Sequence, residues 1–140
     1  MNEVPTASDL EARLRQASSL PEALDASFDA FEAIRRAARD CQDQVPELFA
    51  AFMMTADAAV DGREALTPAP SLPLTSGAEP SNAGAAPADA SQVADALTAL
   101  AAALRDRLTD AAVRADTPDD RAACQDAAEA AGRICQLMTR

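Results

Sequence analysis

The residues that could do chemistry in this chain are few, and the most informative fact about them is an absence: there is no His. Imidazole is the usual acid/base near neutral pH, the group that activates Ser and Cys nucleophiles, and a ligand expected in carboxylate-bridged di-iron bundles. Each of those arrangements lacks its central member here. Three cysteines remain, Cys41, Cys124 and Cys135, in no close-spaced pair. On a helix, Cys124 and Cys135 share a face but stand about 16 Å apart along the axis, too far to bond or to share a metal. With no Lys or His beside them to lower a thiol pKa, they read as reduced core residues, although the sequence leaves open an approach of Cys41 to one of them. The four glycines, Gly62, Gly77, Gly84 and Gly132, form no phosphate-cradling cluster. Asp119 and Asp120 are adjacent acids whose place in a first helical turn is explained by capping and the helix dipole. No cofactor, metal or catalytic residue is expected, and the chain reads as non-enzymatic.

Charge narrows the partners. The formal net charge is -11 and every internal cation is Arg, with Lys absent. Direct nucleic-acid binding draws most of its affinity from cations on phosphates, so it is not expected. A basic partner suits this balance better. Glu11 with Arg15, Glu32 with Arg36, Asp110 with Arg114, and Glu129 with Arg133 have the four-residue spacing of ion pairs on exposed helix faces. Arg35, Arg36 and Arg39 are the one local cationic cluster, flanked by Glu32 and Asp40, and are candidates for gripping an acidic group. Abundant Ala and Arg without Lys fits the coding bias of a high-GC bacterium. The N-terminus has no signal-like pattern, and the longest apolar run, 96–104, is well short of the roughly 20 residues of a membrane span. A cytoplasmic protein with no membrane role is expected.

The elements that would position these residues are helical. Ala is roughly a quarter of the chain, Trp and Tyr are absent, and no stretch alternates with a period of two. Ser8-Asp9-Leu10-Glu11 has the form of a capping box opening a short helix, and Ser19-Leu20-Pro21-Glu22 opens a second. Leu24, Phe28, Phe31, Ile34, Ala38, Cys41 and Val45 then recur at three- and four-residue steps along one stripe. Pro46 breaks that helix, and Asp43-Gln44-Val45-Pro46-Glu47 predicts a cap for a third, which ends near Asp61 with Gly62 as its stop. Helix four starts near Ser91 and carries Val93, Leu97, Leu100, Leu104 and Leu108. Thr117-Pro118-Asp119-Asp120 opens helix five, whose buried face holds Cys124, Ala127, Ala128, Ala131, Ile134, Cys135 and Met138.

Composition changes abruptly between these groups, where Pro68, Pro70, Pro73, Pro80 and Pro87 exclude a helix. The predicted organisation is an N-terminal helical segment, 1–65, a Pro/Ala/Ser-rich linker, 66–90, and a C-terminal helical hairpin, 91–140. The linker is either a tether or a strap over the surface. The fold class is all-α: four long amphipathic helices in a bundle of two hairpins, with the short first helix as an appendage. The bundle closes on itself or pairs with a second chain.

The densest apolar stretch is Leu48-Phe49-Ala50-Ala51-Phe52-Met53-Met54, which covers more of its helix than one buried face requires. Phe49, Phe52, Met53 and Met54 are therefore the candidate contacts of a helical interaction module that binds another protein or itself, with Arg35, Arg36 and Arg39 at the rim. Two other classes fit the same composition. One is an acidic regulator that mimics nucleic acid and occupies the groove of a DNA-binding protein. The other is a small-ligand bundle, which needs an unfilled pocket beside the Ala-rich face of helix five.

Overall fold

The computed structural model describes residues 7–73 and 90–138, with side chains from Asp9 onward. It is all-helical, with five helices packed against one another: α1 (Ala7–Gln16), α2 (Leu20–Cys41), α3 (Phe49–Leu66), α4 (Ala90–Arg114) and α5 (Pro118–Met138). The cap proposed at Ser8 and residues 74–89 of the linker lie outside the described residues. Among the described residues, no helix is long and apolar enough to cross a membrane.

Local chemistry sets most of the boundaries. Ser19 is extended and its Oγ accepts the Glu22 amide at 3.3 Å. Glu22 in turn accepts from the amide and hydroxyl of Ser18, one residue ahead of the cap, at 3.1 and 3.3 Å. Thr117 Oγ1 accepts the Asp120 amide at 3.1 Å, with Pro118 as the first helical residue. Pro46 does divide α2 from α3, through a single 3-10 turn over Pro46–Leu48. The cap expected within Asp43-Gln44-Val45-Pro46-Glu47 makes no side-chain bond, since neither Val45, ahead of that turn, nor Leu48, its last residue, caps a helix through its side chain.

Pairs of facing residues join the helices. Glu32 meets Arg63 between α2 and α3, Asp61 meets Arg133 between α3 and α5, and Thr98 meets Cys135 between α4 and α5. Short connections over 42–48 and 115–117 make α2–α3 and α4–α5 antiparallel pairs, and α3 opposes α5, since Ser71, beyond the end of α3, meets Asp120 near the start of α5 while Asp61 meets Arg133. The α3 helix packs on α2 and α5, α4 packs on α5, α2 and α1, and α1 lies along α2 and α4. A single buried cluster joins all five, including Leu10, Leu14, Leu24, Phe31, Ile34, Phe52, Leu66, Leu100, Leu104, Leu108 and Ile134.

Two expectations are corrected. First, α1 is not an appendage: Leu10 and Leu14 enter the common core, and Arg13 reaches Asp25 and Asp29 of α2 at 3.4 and 3.0 Å. Arg107 of α4 also donates to the Ala17 carbonyl at 3.2 Å, tying the α1–α2 junction to the rest. Second, Gly62 does not stop α3, which continues to Leu66. A Cβ at Gly62 would stand 2.4 Å from Phe31 Cε1, so this glycine is the place where the Phe31 ring lies against the α3 backbone. The first residues of the linker pack as a strap. Ala69 is buried and Leu72 packs on the core, while the Ser71 amide and hydroxyl donate to the Asp120 carboxylate at 3.1 and 2.7 Å. Asp120 is only 3% exposed, so one carboxylate both sits in the first turn of α5 and anchors the chain leaving α3.

Candidate functional site

The α3 helix buries Phe52, Thr55, Ala56, Ala59, Gly62 and Leu66 along one stripe. Three large apolar residues fall outside it: Phe49 is 40% exposed, Met53 41% and Met54 50%. Phe52 is 0% exposed and belongs to the core, so the four residues singled out from sequence do not form one surface. At about 100° per residue, Phe49 and Met53 share one shoulder of α3, while Met54 lies about 100° further round, on the shoulder facing α5. Val113, near the end of α4, is also strongly exposed, and a lone apolar residue of that kind is ordinary on a surface.

Met54 borders a groove of about 450 Å³ between α3 and α5, lined by Met54, Asp57, Ala58, Asp61, Arg133, Gln136 and Leu137. Its apolar part is Met54, Ala58 and Leu137. At its polar edge, Arg133 pairs with Asp61 at 3.4 Å rather than with Glu129, its expected partner. Sequence reasoning missed Leu137. The available signal was that Leu137 and Met54 both lie off the buried stripes of their helices, and the antiparallel packing of α3 on α5 brings them to one groove.

The arginine cluster is divided. Glu32 pairs not with Arg36 but with Arg35, at 3.1 Å, and with Arg63 from α3. Arg35 is thereby committed to the α2–α3 contact. Arg36 is half-buried, with its Nε unpartnered, and Arg39 is exposed, so only the latter stands free of the bundle as a cation at the rim. The other two anticipated pairs form, Glu11 with Arg15 at 3.3 Å and Asp110 with Arg114 at 3.3 Å.

The Glu32 cluster has a pH signature. Burial pushes the Glu32 carboxyl up, but hydrogen bonds and charge from Arg35 and Arg63 outweigh it and hold the pKa below the ordinary value. A group with a lowered folded-state pKa stabilises the fold above its unfolded pKa, and that contribution is lost as pH falls through the folded one. Glu32→Gln is therefore expected to lower stability by about 1.5–3 kcal/mol at neutral pH, the range of hydrogen bonds to charged groups. In urea titrations the gap from the parent should shrink as pH drops below the ordinary carboxylate range; a gap independent of pH would assign the loss to packing instead.

The cysteines do not come together as a reactive set. Cys41 and Cys124 are buried, Cys135 is half-buried, and all three are free thiols. Burial raises each pKa, with Asp120 assisting at Cys124, which is pushed up to about 11, and Asp40 assisting at Cys41. At Cys135 burial outweighs the opposing pull of Arg105. Such thiols are protonated at neutral pH and are poor nucleophiles. Among the described residues, no group of three His, Cys, Asp or Glu side chains is placed to hold a metal ion. The surface around α3 presents exposed methionines and a phenylalanine, a groove with an apolar floor, and carboxylates beside it. Compared with known proteins, the chain matches no family, no curated protein and no solved structure.

Proposed function

We propose that the protein is a non-enzymatic helical interaction module that binds another protein, or itself, through apolar residues that α3 holds outside the core. The observation carrying this reading is the exposure of Phe49, Met53 and Met54 within two turns of one helix whose opposite stripe is already satisfied by the bundle. Large apolar side chains grouped in this way favour a partner surface, and flexible methionine makes such a surface adaptable. The protonated state of the thiols supports a role in binding over one in nucleophilic catalysis. The Ala-rich face of α5 is filled, with Ala127 and Ala131 covered and Leu100, Leu104 and Leu108 packed into the same core, which weighs against a small-ligand bundle. A nucleic-acid mimic finds some support in the exposed acids of α3 and α5, but exposed methionines beside them favour a protein surface with an apolar centre.

Light scattering on a size-exclusion column, at low and high salt, tests the reading. Self-assembly through apolar faces predicts a dimer that persists at high salt and reverts to monomer in Phe49→Glu/Met53→Glu. A monomer at both salts moves the contact to a different partner. A salt-sensitive assembly that the double variant leaves intact would contradict the apolar reading.

A further inference from the structure

The groove between α3 and α5 is more specific than the general apolar surface, because its charge is one-sided. Asp57 and Asp61 stand on the α3 side. Glu64 follows one turn beyond Asp61, and on α5 Asp126 and Glu129 precede Arg133 by two turns and one turn; all three are exposed. Arg133 is the only cation among the groove's lining residues, and Asp61 already pairs with it. The floor is the opposite in character: Met54, half exposed, with Ala58 and Leu137. An apolar strip whose lining is net negative, with further exposed acids along both helices beyond it, is complementary to a helix with an apolar stripe flanked by cations.

We infer that this groove is a docking site for a cationic amphipathic helical segment of a partner protein, its apolar side chains seated on Met54, Ala58 and Leu137 and its Lys or Arg residues facing Asp57, Glu64, Asp126 and Glu129. A second copy of this chain is a poor occupant, because it carries the same -11 charge and would place the same carboxylates against one another. The inference rests on the interaction-module reading and names the partner class for one of its surfaces. Affinity comes from burying the apolar strip, while the carboxylates raise the association rate and set the orientation.

The test uses the full chain and a fluorescein-labelled synthetic helix of Leu and Lys, with the leucines at three- and four-residue spacing. A Leu/Glu version and a Leu/Lys version with scrambled order serve as controls. Anisotropy at physiological salt is expected to show saturable 1:1 binding of the first peptide and at least tenfold weaker binding of both controls. Met54→Glu and Leu137→Glu should each weaken binding at least tenfold while leaving the helical circular dichroism unchanged. Asp57→Asn, the milder variant, should weaken it severalfold and flatten its salt dependence. Equal affinity for ordered and scrambled peptides, or binding untouched by Met54→Glu and Leu137→Glu, overturns the groove. If Phe49→Glu/Met53→Glu abolishes binding while the groove variants do not, the groove is wrong but the interaction module stands. If neither peptide charge binds, the groove fails whatever the oligomeric state.

Discussion

Phe52→Glu is expected to leave the chain unfolded at room temperature, whereas Met53→Glu and Met54→Glu, its sequence neighbours, should melt within a few degrees of the parent. The three substitutions place the same carboxylate on consecutive residues of α3 and differ only in direction. Phe52 is wholly buried, so Glu there removes an aromatic side chain whose loss from a core costs about 3–5 kcal/mol. It also puts an unpaired acid into the core, at several kcal/mol more. Together these rival the whole stability of a domain, about 5–15 kcal/mol. Met53 and Met54 are exposed by 41% and 50%, and surface changes of that kind stay within about 0.5 kcal/mol. Thermal melts followed by far-ultraviolet circular dichroism decide the matter. A folded Phe52→Glu, or an unfolded Met54→Glu, would mean that α3 is rotated about its axis from the orientation described above.

Gly62→Ala is expected to destabilise the protein although it replaces a poor helix former with the best one. In an open helix interior the exchange gains about 1 kcal/mol. Here the new methyl would collide with the ring of Phe31, with three ring carbons within 2.8 Å. That ring is fully buried and cannot swing aside, and forced overpacking costs about 1–3 kcal/mol. A net loss of up to about 2 kcal/mol in urea unfolding follows, and Gly62→Leu should lose considerably more. The mechanism is specific to one partner. In a Phe31→Leu background the methyl has room, so Gly62→Ala should become neutral or stabilising there, and the double-mutant cycle should show strong coupling. Additive effects of the two substitutions would mean that ring and glycine do not meet.

The helices were legible because capping and periodicity are local. Ser19, Pro21, Thr117 and Pro118 announce starts that the structure uses, and the stripes from Leu24 to Cys41 and from Leu97 to Leu108 face the core as their spacing requires. What the sequence could not show depends on neighbours distant along the chain. Gly62 looks like a helix stop until the ring of Phe31, on another helix, is seen to occupy the space a Cβ would need. Arg35 and Arg36 have equal claims on Glu32 by spacing, and Arg63 decides between them by approaching from α3. The linker hides its anchor because Ser71 and Asp120 are nearly fifty residues apart and each has an adequate local explanation. At the site, the exposure of Met54 was foreseeable from its angle, but Phe52 could be assigned to the core only once α3 had a direction. Leu137 gained meaning only from the antiparallel packing of α5 on α3.

On the proposed function, the bundle satisfies its own core and binds partners through what α3 and α5 leave outside it. The most direct test is an amide chemical-shift map of the nitrogen-15-labelled full chain titrated with the ordered Leu/Lys helix. Shifts concentrated on residues 54–64 of α3 and 126–137 of α5, with α1 and the outer face of α4 unmoved, are the predicted result. Saturable binding whose shifts fall on α1 and α4 instead, or are spread evenly over every acidic residue, would contradict it.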